Sequence, residues 1–201
     1  MKKRLLHIIS TGKQKPEKLA EIAGQIHPYI DAIHIREKAK TAKEIYEMVN
    51  LLTDQNVPLS KIIINDRLDV ACVSKVGGVH LAYHSLPVDI VKKQFTSLKV
   101  GCSVHSLDEV QTAQELGADY VIFGHVFPTQ SKQGLVPKGL KQLELVAHHG
   151  SIPVLAIGGI KPTNVREVIE TGAQGIAVMS GVLEAENPLE TVKEYYRKLS
   201  I

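Results

Sequence analysis

Several stretches of this chain bring together residue types that bind anions or move protons. Gly158-Gly159 ends one apolar run just before Pro162, and Ser180-Gly181 ends the next one. Glycine there lets backbone N–H groups approach an oxyanion, and a helix starting just beyond adds partial positive charge. A phosphate group is the ligand that this pair of sites favours over a mere tight turn. His34-Ile-Arg36-Glu-Lys38 closes another apolar run with two cations, and His34 shares a face with Arg36. The cations either meet an anionic group or form a solvated cluster. Asn65-Asp66-Arg67 offers an amide and a carboxylate that could contact a ligand, hold Arg67 or cap a helix. A metal ion at Asp66 would need further oxygen ligands, but after His80-Leu-Ala-Tyr-His84-Ser85 no carboxylate appears until Asp89. No metal site is therefore expected. Gly124-His125 leads into Thr129, Ser131 and Lys132, which supply two hydroxyls and a charge. Near pH 7 the His125 imidazole can both take and give a proton. The alternative for it is a core histidine satisfied by a backbone carbonyl. His7, His80 and His105 read as structural, and His27, His148 and His149 sit on helix patterns without a role.

All these positions follow short β-branched runs, and those runs recur along the whole chain. Strands are expected at Leu5–Ser10, Ala32–Glu37, Lys61–Asp66, Gly78–Ala82, Lys99–Val104, Tyr120–Val126, Pro153–Gly158 and Gly175–Ser180. Several are apolar throughout, as in a parallel sheet covered by helices. Between them lie amphipathic stretches with readable starts. Thr41 and Glu44 form a capping box ahead of the stripe Ile45, Met48, Val49, Leu52, and Ser106 with Glu109 repeats it. Leu19, Ile22, Ala23 and Ile26 line a helix entered at Pro16. Asn187-Pro188 opens the last helix, with Leu189, Val192, Tyr196 and Leu199 facing inward. Eight strand–helix units in 201 residues average about 25 residues each, near the lower limit for a (β/α)8 TIM barrel. An open doubly wound sheet has the same alternation, but it would want a glycine-rich loop after strand 1. The expectation is one barrel domain over residues 1–201, with its chemistry at the C-terminal ends of the strands.

The composition narrows the partners. A net charge of +3, evenly spread apart from Lys2-Lys3-Arg4, excludes a nucleic-acid surface. The triplet is followed by too short an apolar run for a signal peptide, and no stretch is long enough to span a membrane. Two cysteines without metal spacing fit reduced thiols in the cytoplasm. A homo-oligomer is compatible with the sequence, which marks no interface.

As a set, Arg36-Glu-Lys38, Asn65-Asp-Arg-Leu-Asp-Val-Ala71, Gly78-Val-His-Leu81, Gly101-Cys-Ser-Val-His105, Phe127-Pro-Thr129 with Lys132, Ala156-Ile-Gly-Gly-Ile160 and Gly175–Ser180 resemble the thiamine phosphate synthase superfamily over essentially the whole chain. The synthases of that superfamily typically carry glutamine at the place of His34, a second, magnesium-binding aspartate at Ser85 and proline at His125. These departures, with Gly124-His-Val-Phe127, resemble the thiazole tautomerase (TenI-type) branch. That branch implies a cofactor-free isomerisation of a phosphorylated thiazole carboxylate, in which His125 removes a proton beside the carboxylate and returns it at the exocyclic carbon. By the same resemblance Gly159, Ser180 and Gly181 hold the phosphate, and Thr129, Gln130 and Ser131 contact the thiazole. Arg36 and Lys38 are expected to face the carboxylate. Two alternatives stay open: a synthase with a reduced magnesium site, and a binding or regulatory barrel without catalysis.

Overall fold

Eight parallel strands pair in chain order and the eighth returns to the first, closing a barrel. The computed structural model describes residues 3–200, so Lys2 of the basic triplet lies outside the described residues. The strands are β1 Leu5–Ile9, β2 Ala32–Ile35, β3 Ile62–Asn65, β4 Gly78–Leu81, β5 Lys99–Val104, β6 Tyr120–Gly124, β7 Val154–Ile157 and β8 Gly175–Val178. Each begins and ends within two residues of its expected place, and closure removes the open-sheet alternative.

Alternation along the strands sorts side chains into two layers. Ile8, Ile33, Ile64, Val79, Val100, Val121 and Phe123 point outward and pack against helix residues such as Leu19, Met48 and Val192 in one continuous core. A separate cluster inside the barrel contains Ile9, Ile63, Tyr120, Ile122, Leu155 and Ala177. Tyr120 fits there because Gly101 stands opposite it in register: a Cβ on Gly101 would overlap the tyrosine ring.

The helix starts follow their side-chain caps. Helix α1 is Pro16–Ile26, and in α2, Ala42–Asp54, both halves of the Thr41–Glu44 box are made. Ser106 Oγ accepts from the Glu109 amide, but the Glu109 carboxylate reaches back to the amide of His105 instead of Ser106. In the last helix, Pro188–Leu199, Asn187 Oδ1 caps the Glu190 amide. One inward residue there differs from expectation. Tyr195 is buried at 1% exposure, whereas Tyr196 is 44% exposed. Both fit the spacing from Val192 to Leu199, and hydrogen bonding separates them. The Tyr195 hydroxyl donates to the Ile160 carbonyl at 2.9 Å, while Tyr196 stays outside, edge-on to Tyr29.

Candidate functional site

The eight strand ends enclose a cavity of about 1830 Å³, and each of the expected site residues lines it. Arg36 and Lys38 enter from the end of β2, where the Arg36 amide donates to the buried Ser10 Oγ at 2.8 Å. Asn65 is the last residue of β3 and half-buried. Thr129, Gln130, Ser131 and Lys132 form part of the long loop after β6, largely exposed at the rim.

Gly158 and Gly159 follow β7 with φ of 100° and 66°, a region that L side chains rarely adopt. Their second constraint is proximity. A Cβ on Gly158 would collide with His125, and one on Gly159 with Phe127 and the Pro128 carbonyl. The amides of Val126 and Phe127 donate to the carbonyls of Ile157 and Gly158, so this turn and the loop after β6 are stitched together. The glycines thus serve close packing as well as leaving backbone open to the cavity. Ser180 and Gly181, both exposed to it, stand just beyond β8.

His125 is 9% exposed and lines the cavity, with its Nε2 donating to the Leu135 carbonyl at 3.3 Å. Strand parity would group it with the outward Val121 and Phe123, but β6 ends at Gly124 and the alternation ends with it.

Below the cavity lies a set of buried groups that reading the histidines one at a time missed. His7 Nδ1 is 3.0 Å from His34 Nε2, and His34 Nδ1 is 3.2 Å from Asn65 Oδ1. Beside them His80 Nδ1 is 3.3 Å from the Tyr120 hydroxyl and His80 Nε2 is 2.9 Å from Ser103 Oγ. The rings of His7, His34, His80 and Tyr120 pack with centroids 5.1–6.4 Å apart. Burial holds the His34 imidazole down to about 4 and those of His7 and His80 well below their ordinary range, while it pushes the Tyr120 phenol well up. All four groups are therefore neutral at pH 7. The signal in the sequence was parity: His7, His34 and His80 occupy inward positions of three strands, and Gly101 marks the space for Tyr120.

Magnesium, which the resemblance to the synthases implies, can be tested on the donors present. Asp66 supplies one carboxylate. Its Oδ1 accepts from Ser85 Oγ at 2.7 Å and its Oδ2 lies 3.4 Å from His84 Nε2. Among the described residues no three His, Cys, Asp or Glu side chains converge on a common point. The residues do not fit a protein-held magnesium ion, which would want more oxygen ligands than Asp66 provides.

The family described as thiamine monophosphate synthase matches residues 5–182. A thiamine-phosphate synthase of Pyrococcus furiosus is 35% identical over 190 residues, covering 94% of this chain and 91% of the relative. One from Chlorobium luteolum is 39% identical, over 80% of this chain and 77% of its own. The solved structure of a thiamine phosphate pyrophosphorylase from Pyrococcus furiosus superposes with a TM-score of 0.84 at 33% identity, covering 98% of this chain and 95% of that one. A 3-hexulose-6-phosphate synthase, with a TM-score of 0.74 at 18% identity, shares the fold. These relatives overturn the expectation of a thiazole tautomerase, an isomerase using His125: the curated relatives at this identity are named as synthases, which are transferases. His125 itself lines the cavity with its Nε2 bonded to the Leu135 carbonyl. By the match over most of its length, the chain belongs to the thiamine monophosphate synthase family.

Proposed function

We propose that the chain is a thiamine-phosphate synthase, a transferase that joins a pyrimidine, delivered as its pyrophosphate, to a thiazole phosphate. The observation that carries this reading is the 35% identity to a named synthase over 94% of the chain. The cavity supports it by offering places for two phosphorylated groups. In the transfer, the bond from the pyrimidine methylene to pyrophosphate breaks and the leaving group keeps the electron pair. The thiazole nitrogen then bonds to the methylene carbon. Arg36, Lys38 and Lys132, which line the cavity, meet the charge growing on the pyrophosphate, with Asn65 as a neutral donor beside them. Since the donors do not fit a resident magnesium ion, more of that neutralisation falls to side-chain cations. Gly158, Gly159, Ser180 and Gly181 take the phosphate of the thiazole, with Thr129, Gln130 and Ser131 along its ring. Forming this bond moves no proton between carbons, so His125 acts through Leu135, anchoring the rim loop. With two free cysteines, we place the activity in the cytoplasm.

The test is to incubate the purified chain with both phosphorylated precursors in a magnesium-containing buffer. Thiamine phosphate and pyrophosphate formed in equal amounts are expected. No product above the enzyme-free control refutes the reading.

A further inference from the structure

A neutral imidazole donates from one nitrogen and accepts at the other, so a row of them has a direction. The row His7–His34–Asn65 can run in two senses. In one, His34 Nδ1–H donates to Asn65 Oδ1 and His34 Nε2 accepts from His7 Nδ1–H. His7 Nε2 is then a bare lone pair. In the reverse sense the Asn65 amide is turned over, and His7 must carry its proton on Nε2, where no described residue accepts it. In the structure it is Asn65 Oδ1, not Nδ2, that faces His34 Nδ1 at 3.2 Å, and an amide oxygen can only accept. The first sense is therefore the one the structure takes.

From this we infer that His34 is a positioning residue: backed by His7, it fixes the Asn65 amide so that the NH2 group faces the cavity. Asn65 ends its strand at the cavity floor and its Nδ2 has no partner among the described residues. Arg36, two residues beyond His34 on the neighbouring strand, has its backbone pinned by Ser10. The pair thus presents an N–H donor and a guanidinium on a shared, pre-set base, which suits the oxygens of a di- or polyphosphate. Turned over, the same asparagine would offer that ligand a carbonyl oxygen and repel it. The identity of the ligand rests on the transferase reading; the direction of the row does not.

Two measurements test this. The first is the tautomeric state of His34 by nitrogen-15 NMR on the unliganded wild-type chain. A proton on Nδ1 is expected, and a proton on Nε2 overturns the inference. The second is binding of inorganic pyrophosphate by calorimetry to wild type, His34→Gln and His34→Leu. Glutamine can donate to Asn65 and accept from His7 with its one amide, so its affinity should stay within about threefold of wild type. Leucine can do neither, and its affinity should fall by about tenfold. A leucine variant that binds like wild type, or a glutamine variant that loses as much as leucine, refutes the positioning role. Should the leucine variant not fold, the glutamine variant and the tautomer still decide. A wild type that makes no thiamine phosphate from its precursors would sink the transferase reading alone, leaving the tautomer measurement valid.

Discussion

Lowering the pH from 7.5 to 4.5 should unfold this barrel from within. His34 is fully buried, and burial brings its imidazole from 6.5 down to about 4, against a smaller opposing effect of its bond to Asn65. Once unfolded, the same group takes its proton near 6.5. Between those values the unfolded chain binds a proton that the folded chain refuses, so stability falls as pH falls. The contribution is fully present above about pH 6.5, declines through the window and is gone below about pH 4. At about 1.4 kcal/mol per unit, the shift of His34 alone is worth about 3 kcal/mol. His7 and His80 are depressed by the same burial, with repulsion among the histidines and from Lys99 and Arg36 adding to it. All three act in the same sense, so the share of His34 alone is the least that is lost from a typical stability of about 5–15 kcal/mol. The lowered carboxylates Glu44, Asp69, Asp89 and Glu190 act in a separate window, since theirs is lost only below the ordinary carboxylate range. Urea unfolding followed by circular dichroism at pH 7.5, 6.5, 5.5 and 4.5 would measure the slope. His34→Gln should flatten it by about one proton, or about 1.4 kcal/mol per unit. A stability that changes by less than about 1 kcal/mol between pH 6.5 and 5 would refute the account of a neutral histidine interior.

Other outcomes can be checked alongside. Arg36→Ala should lower the rate of thiamine phosphate formation by about 100-fold with an unchanged melting temperature, because it removes charge at the leaving group and no core contact. Gly158→Ala should cost about 1–3 kcal/mol in thermal unfolding, from its φ of 100° and its contact with His125. Gly101→Ala should cost a similar amount, read by the same melt, because Tyr120 occupies the space of the new methyl. Thr41→Ala should remove about 1 kcal/mol by opening the capping box of the second helix, with activity unaffected.

The barrel was legible because its signals are local. β-branched runs bounded by glycine and helix starts marked by Thr41, Ser106 and Asn187 each report on a few neighbouring residues, and the structure moved their ends by two residues at most. The site was legible as a set of places, since the ends of parallel strands must meet at one mouth. What escaped the sequence depends on distance in space. Tyr195 and Tyr196 are equivalent by spacing, and only the Ile160 carbonyl tells them apart. The partner of His125, the Leu135 carbonyl, is a loop contact that no periodicity announces. The tautomerase expectation rested on three positions, His34, Ser85 and His125, whereas the kinship to synthases is spread over the whole chain.

The row His7–His34–Asn65 also constrains how the sequence can change over generations. Each member supplies what its neighbour lacks, so an aliphatic residue at 34 strands both partners at once. An amide at 34 satisfies both in a single step and is the open route between histidine and glutamine at this position. Replacing His7 first would leave His34 without its donor and favour the reversed asparagine. Glutamine at 34 can therefore stand beside an unchanged His7, whereas a survey of descendants would find an aliphatic residue at 34 only where 7 has changed as well.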